Sequence, residues 1–259
     1  MGKNMIEGFF VFVMGAVIGS FVNVLVIRLK DASSLWGRSH CPECHEPIRA
    51  RHLVPIVSWL ILRGKCADCG KPIHPQYPLV ELASGMLLVM ALIRHDFFVH
   101  PAELNLFLFE SLFTINLLML TTFDWRFRLL PVEWMMGSTI LLGAWGIIMG
   151  WVTWPSLVIG CCVGMAFLGI QVLVSRGRWM GSGDPWMAGL IGVVLGWPGI
   201  AISLYITYLA GGVLAIILFM CGMAKRATRI PFAPLLALGA LMTLWFGQGI
   251  QEWVARFTF

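Results

Sequence analysis

The chain has 259 residues, of which 59% are hydrophobic and 12% are charged, and its formal net charge is +5. Ordinary soluble domains carry charge on about a quarter of their residues, so this composition excludes that class and indicates a protein embedded in membrane lipid. We expect no nucleic acid as a partner, because short basic loops on one side of a membrane account for the positive charge.

Hydrophobic segments recur along the whole chain. A transmembrane helix needs about 20 apolar residues to cross a hydrocarbon core of about 30 Å. The first segment is too long for a signal peptide and is not followed by a cleavage site, so we interpret it as retained. The predicted fold is an all-α polytopic membrane protein of about eight transmembrane helices, at residues 5–29, 79–93, 105–123, 132–151, 156–174, 185–197, 200–221 and 231–246.

Basic residues predict the orientation of these spans. Eight spans place both termini on one side, and of the 18 Lys and Arg residues only Lys3, Arg94 and Arg256 fall on that side. The positive-inside rule makes the other side cytoplasmic. Asp124 and Asp184 then both lie at the cytoplasmic face.

Residues 30–78 are polar and contain two C-x-x-C motifs, Cys41 with Cys44 and Cys66 with Cys69. Four thiolates at this spacing are typical of a closed tetrahedral site that holds a structural Zn²⁺ ion. A reducing cytoplasm disfavours disulfides. We therefore predict three domains: a first transmembrane helix at 1–29, a small cytoplasmic zinc-ribbon-like domain at 30–78, and a transmembrane bundle at 79–259.

Two polar residues lie inside predicted spans. Asn23 is an amide within the first apolar segment, where a hydrogen bond to a neighbouring helix is the simpler explanation and contact with substrate is the alternative. Glu81 lies one turn into the second span, after Pro78. A structural role near a helix N-terminus and a functional role both stay open for it.

Asp184 and Asp124 are the strongest candidates for catalysis. Asp184 follows Gly181 and Gly183, whose lack of side chains allows close backbone approach, but an Asp-Pro pair is also a favoured N-cap at a helix start. Asp124 ends an apolar run, where a helix dipole disfavours a negative charge, so neutralisation by Arg126 or Arg128 is its structural alternative. Two carboxylates on one membrane face can act as acid and base on a bound water.

Motifs in the same order and spacing resemble the type IV prepilin peptidases, which are aspartic proteases of the GxGD type. The resemblance covers nearly the whole chain. The matching stretches are residues 19–24, 38–44, 66–70, 77–81, Asp124 with Leu130 and Pro131 after it, and 181–184.

The resemblance implies a bifunctional enzyme of the bacterial inner membrane, with its active site facing the cytoplasm. Such an enzyme removes the leader of type IV prepilins or type II secretion pseudopilins after a glycine. It then methylates the new N-terminal amine with S-adenosyl-L-methionine.

Carried over by position, the two catalytic aspartates of the family fall on Asp124 and Asp184, and its zinc ligands on the four cysteines. The chain departs from the family at three positions. Arg126 and Val132 stand where aspartates are common, and Trp186 stands where a lysine is common. Each catalytic motif therefore keeps a single carboxylate.

Two other functions fit some of these features. A non-enzymatic zinc-ribbon membrane protein that docks a pilus or secretion assembly would use the aspartates only as a cap and an ion-pair partner. A transporter would place its acids near the middle of the bilayer rather than at its edge. No glycine-rich nucleotide fingerprint marks a site for S-adenosyl-L-methionine, and a role in pili, secretion or DNA uptake is left open.

Overall fold

The computed structural model describes residues 2–34, 36–222 and 231–258. This part of the chain is helical and contains no strand, which confirms the predicted all-α class. The helices are α1 (Gly2–Lys30), α2 (Val57–Ile61), α3 (Gln76–Arg94), α4 (Leu104–Phe127), α5 (Val132–Ile148), α6 (Trp154–Ser175), α7 (Asp184–Met220) and α8 (Ala233–Thr258), with 3₁₀ turns at Ala50–His52 and Pro101–Glu103.

Among the described residues, five helices are long and apolar enough to cross a membrane, namely α1, α3, α4, α6 and α7. Shorter apolar helices lie at Val132–Ile148 and Ala233–Gly247. Because α7 contains a break and forms two helical halves, the apolar segments number about eight, as predicted. The protein is therefore a multi-pass membrane protein.

The break in α7 lies at Gly196 and Trp197, whose backbone angles are not helical. Gly196 has a φ of 61°, which favours glycine, and the Pro198 that follows has no N–H to continue a helical ladder. Ser156 of α6 satisfies the interrupted backbone. Its hydroxyl accepts a hydrogen bond from the Trp197 N–H at 2.9 Å and lies 3.1 Å from the Trp197 carbonyl oxygen, to which it can donate.

The two halves of α7 run in opposite directions along α6. In the first half, Gly192 packs against Gly160 and Ala188 packs against Gly164, so the numbering falls as that of α6 rises. In the second half, Ile200 approaches Gly164, and farther along Tyr208 stacks edge-on against Phe167. Glycines at these contacts allow backbones to approach closely. This reversal agrees with two separate predicted spans at 185–197 and 200–221.

The second half of α7 packs antiparallel to α8. Gly239 lies against the Ser203 carbonyl, and the Thr207 hydroxyl is 3.4 Å from the Leu235 carbonyl oxygen. The start of α8 therefore lies at the level of residues 207 and 208. A ring contact between Tyr208 and Phe232, with centroids 5.9 Å apart, is consistent with this register.

The chain divides into two compact units, Met1–Thr122 and Phe123–Phe259. In the first unit, α1 and α3 are in close backbone contact, since Gly15 lies against Gly85 and Gly19 lies against Glu81. Ser84 donates a hydrogen bond of 2.6 Å to the Gly15 carbonyl. An apolar core joins α1, α3 and α4 through Val11, Leu88, Ala91, Leu92 and Phe107.

Candidate active site and metal centre

Asp184 is the first residue of α7 and is only 5% exposed. Its Oδ2 accepts a hydrogen bond of 2.8 Å from the Gly181 N–H, so the preceding turn folds back onto the carboxylate. The alternative role of Asp184 as an N-cap is not observed, because the N-cap position is Gly183. The N–H groups of Trp186 and Met187 bond to the Gly183 carbonyl rather than to the aspartate.

Gly183 makes the closest contact in this turn. A Cβ added at Gly183 would lie 2.7 Å from the Cβ of Leu130, well inside the optimum carbon separation of about 3.5 to 4.0 Å. Leu130 belongs to the linker that follows α4, the helix that carries Asp124. The absence of a side chain at Gly183 therefore lets the two carboxylate-bearing segments pack together.

Asp124 lies in the last turn of α4 and is half-buried. Its Oδ2 accepts a hydrogen bond of 3.3 Å from the N–H of Ala233, the first residue of α8. The N-terminus of α8 thus provides a favourable dipole for a charge that the C-terminus of α4 disfavours. Arg128 also interacts favourably with Asp124 through its charge, in line with its predicted neutralising role.

The two carboxylates lie near enough to interact electrostatically. Asp184 begins α7, and the carboxylate of Asp124 contacts the N-terminus of α8. In the described part of the chain each aspartate accepts one backbone hydrogen bond through Oδ2. This arrangement leaves Oδ1 of Asp124 and of Asp184 to bind a water or a substrate group. A pair of this kind can supply an acid and a base.

The thiols of the two C-x-x-C motifs converge in the first unit, where the Sγ atoms of Cys41, Cys44, Cys66 and Cys69 all lie within 4.8 Å of one another. Two turns of the same construction hold them. The Cys41 N–H donates to the Glu46 carbonyl, and the Cys66 N–H donates to the Lys71 carbonyl.

The spacing of the thiols fits a metal. Tetrahedral zinc with Zn–S bonds of about 2.3 Å separates its sulfurs by about 3.8 Å, and Cys41 Sγ and Cys69 Sγ are 3.9 Å apart. The cluster can therefore hold one zinc ion.

Comparison with known proteins shows the family of this chain. The model of the type IV leader peptidase family matches residues 111–216, and that of the bacterial peptidase A24 N-terminal domain matches residues 13–95. A Burkholderia pseudomallei (strain K96243) protein named prepilin leader peptidase/N-methyltransferase is 32% identical, with 92% of this chain and 85% of that protein covered. This chain belongs to the type IV leader peptidase family.

Two further relatives carry the same name. The Aeromonas hydrophila protein is 30% identical over 94% of this chain and 92% of its own length, and the Bacillus subtilis (strain 168) protein is 29% identical over 92% and 94%. No solved structure matches the chain. The leader peptidase match contains both Asp124 and Asp184, and the N-terminal match contains all four cysteines.

Glu81 lies within the N-terminal family match and is 7% exposed. Its Oε2 accepts a hydrogen bond of 2.7 Å from the N–H of Ile56, and the Ser20 hydroxyl of α1 also donates to it. Ile56 has a φ of 62°, a conformation that a β-branched residue rarely adopts. Glu81 therefore ties the polar segment before α2 to α1 and α3 of this family member.

Asn23 makes the predicted hydrogen bond between helices. Its Nδ2 donates to the Tyr77 carbonyl at 3.1 Å and to the Gly19 carbonyl at 3.3 Å. Its Oδ1 accepts a longer bond of 3.4 Å from Gln76 Nε2. These contacts join the end of α1 to the start of α3 and account for a buried amide.

Sequence reasoning missed two contacts at the carboxylates. The N–H of Ala233 has no sequence signature, because every residue except proline carries such a group. Leu130 lies in a motif that supports the family resemblance, but its contact with Gly183 could not be predicted from the sequence.

Proposed function

We propose that this member of the leader peptidase family removes the leader of type IV prepilins or type II secretion pseudopilins and methylates the new N-terminus. The pairing of Asp184 at the start of α7 with Asp124, whose carboxylate contacts the start of α8, carries this proposal, supported by the names of the relatives. The family, the multi-pass architecture and the four-cysteine cluster all agree with it.

In the proposed reaction, the ionised carboxylate takes a proton from a bound water. The water oxygen then bonds to the carbonyl carbon of the substrate peptide, while the protonated carboxyl group stabilises the developing oxyanion. The protonated carboxyl group then transfers its proton to the substrate nitrogen, and the C–N bond breaks. The products are a leader that ends in a carboxylate and a pilin that begins with an amine.

We assign the base to Asp124 and the acid to Asp184. The negative charge is better stabilised on Asp124, which is more exposed, interacts with the cation of Arg128 and accepts an N–H from the start of α8. Asp184 is nearly fully buried. Gly181 and Gly183 support the site by orienting Asp184 and by allowing Leu130 to pack against the turn.

We place the enzyme in the bacterial inner membrane, surrounded by lipid, with the active site on the cytoplasmic side. The strong asymmetry of basic residues supports this orientation. Cleavage after a glycine of the substrate is part of the same proposal. The first transmembrane helix occupies residues 1–29, the cytoplasmic zinc-binding domain residues 30–78, and the bundle with the protease site residues 79–259.

Methyl transfer uses S-adenosyl-L-methionine and depends on the zinc-binding domain and its neighbours. Both aspartates lie outside residues 30–78, so the two activities should be separable. Zinc at the four cysteines would be structural, because four thiolates leave no open coordination position. A domain this small loses its fold without its ligands, and Glu81 and Asn23 then support the domain rather than the chemistry.

The test of the peptidase site replaces each aspartate by asparagine, which keeps the size and the hydrogen-bond acceptor. Cleavage of a prepilin in membranes should fall to background in Asp124→Asn and in Asp184→Asn, while Asp31→Asn, on an exposed residue, should cleave normally. Near-normal cleavage by Asp184→Asn would refute the acid role. A chain that supports assembly with both replacements would instead be a docking protein.

The test of separability follows the pilin N-terminus by mass spectrometry. The double variant Cys41→Ser with Cys44→Ser should lose methylation more than cleavage. Asp184→Asn should still methylate a pilin that was cleaved beforehand. Normal methylation by the cysteine variant, or its loss in the aspartate variant, would contradict the proposed separation.

A further inference from the structure

A polar pair lies inside two helices that can span the membrane. The hydroxyl of Tyr208 in α7 donates a hydrogen bond of 2.7 Å to Oε1 of Gln171 in α6. Polar side chains in such helices are costly and therefore rare, and they often mark functional positions. Neither residue has a role in the reaction described above.

The pair lies at the level of the carboxylates. The ring of Tyr208 packs edge-on against Phe232, with centroids 5.9 Å apart, and Phe232 directly precedes Ala233, whose N–H binds Asp124. The charge of Asp184 also lies near enough to affect the phenol of Tyr208. The contact through Phe232 places Tyr208 beside the start of α8, which binds Asp124, and the residue is 38% exposed.

The hydrogen-bond directions in this pair are determined by the chemistry of the groups. Gln171 Nε2 donates to the Phe167 carbonyl at 3.1 Å, which leaves Oε1 facing Tyr208. A carbonyl oxygen can only accept, so the phenol must donate its single proton to Gln171. The lone pairs of the Tyr208 oxygen therefore remain available to accept a hydrogen bond from another group.

A peptide bond that is to be cut needs such an acceptor. When a substrate segment leaves its helix, each backbone group loses its internal partner, and an N–H that is enclosed in the site without a new partner costs about 1 to 3 kcal/mol. The carboxylate pair activates the water and stabilises the oxyanion at the carbonyl of the scissile bond. The N–H of the same bond requires a separate acceptor close by.

We propose that the Tyr208 oxygen accepts the hydrogen bond of the scissile N–H, and that Gln171 is a positioning residue that holds the phenol proton away from it. This inference rests on the proposed peptidase function. It assigns a substrate-binding residue at the site, and the ligand is the backbone of an unwound peptide rather than any particular side chain.

The experiment compares two prepilin substrates that differ only at the scissile bond. In the second substrate the residue after the scissile bond is an α-hydroxy acid, so an ester replaces the amide and the N–H is absent. Tyr208→Phe should lower kcat/KM for the amide substrate about tenfold or more, the size expected for one lost hydrogen bond in a dry site. It should leave enzymatic hydrolysis of the ester unchanged. The rate measured with Asp184→Asn gives the background hydrolysis of the ester and is subtracted.

The ratio of amide to ester cleavage is measured on one preparation, so a difference in the amount of folded protein cancels. Tyr205→Phe is the matched control, because Tyr205 lies on the same helix and is 70% exposed, and it should change neither rate. Gln171→Leu should lower the amide rate alone. Because both variants disturb the same interaction, the double variant with Tyr208→Phe should be no worse than Tyr208→Phe.

Equal losses with the amide and the ester would show that Tyr208 only supports the architecture, and this would overturn the inference. An unchanged amide rate in Tyr208→Phe would overturn it as well. If the protein without substitutions cleaved neither substrate, the proposed peptidase function itself would fail. This outcome differs from those that overturn only the role of Tyr208.

Discussion

Replacement of Gly183 by alanine tests how closely the two carboxylate-bearing segments must pack. The backbone of Gly183 has a φ of −82° and a ψ of −25°, which alanine adopts without strain. Any effect therefore comes from the added methyl group. That Cβ would lie 2.7 Å from Leu130 Cβ, 3.2 Å from its Cδ1 and 3.4 Å from its Cγ.

A change of rotamer at Leu130 cannot relieve the closest contact, because Cβ is bonded to the backbone. Restoring a carbon separation of about 3.5 to 4.0 Å requires one chain segment to move by about 1 Å. Overpacking of this kind typically costs about 1 to 3 kcal/mol of stability. A 1 Å displacement of catalytic groups lowers the rate about a hundredfold, so we expect that loss of leader cleavage in Gly183→Ala.

The assay measures leader cleavage in membranes at equal amounts of inserted protein. Gly181→Ala is the matched control, since its Cβ would make only ordinary contacts, at 3.5 Å to Asp184 Oδ2 and 3.9 Å to the Gly183 nitrogen, and it should keep most activity. Adding Leu130→Gly to Gly183→Ala removes the clashing atoms and should restore part of the rate. Full activity of Gly183→Ala, or no recovery in the double variant, would refute the packing argument.

Three other results are expected. Purified protein should contain about one zinc per chain, and the Cys41→Ser with Cys44→Ser variant should contain none; disulfides in anaerobically purified protein would contradict the site. Ser156→Ala should lower the free energy of unfolding by about 1 to 3 kcal/mol in thermal denaturation, since it leaves the break in α7 without its hydroxyl partner. Glu110→Gln should lower the melting temperature more than Glu133→Gln does. Glu110 is 4% exposed and pairs with Arg94 and His95 at the end of α3, whereas Glu133 is exposed. Equal melting temperatures of the two variants would contradict this structural role of Glu110.

Composition and local pattern predicted much of the fold. Runs of apolar residues predicted the helices, including separate spans at 185–197 and 200–221 that a single helical assignment joins. The two C-x-x-C motifs predicted a cluster that requires only local turns and one longer connection. Such features depend on residues that are near in sequence.

The misses come from groups that a sequence does not distinguish. The alternative N-cap role of Asp184 is not observed, because Gly183 is the N-cap and Asp184 is already the first residue of the helix. The dipole argument at Asp124 considered only its own helix, whereas the N-terminus of α8, 109 positions away, provides the compensating N–H. Long-range backbone contacts of this kind become visible only when the helices are packed.

The early break in α7 has a consequence for the surrounding lipid. Residues 184–195 form a helical segment that reaches only about 18 Å at about 1.5 Å per residue, which is shorter than a typical hydrocarbon core of about 30 Å. Most of this segment is buried against protein, and where it meets lipid a mismatch of about 12 Å must be met by local thinning of the bilayer or by water that follows the protein inward. Since each ångström costs a fraction of a kcal/mol, acyl-chain length enters the energetics of this half-helix. A membrane of short-chain lipids should therefore accommodate the Asp184 end of α7 more readily than a thick one.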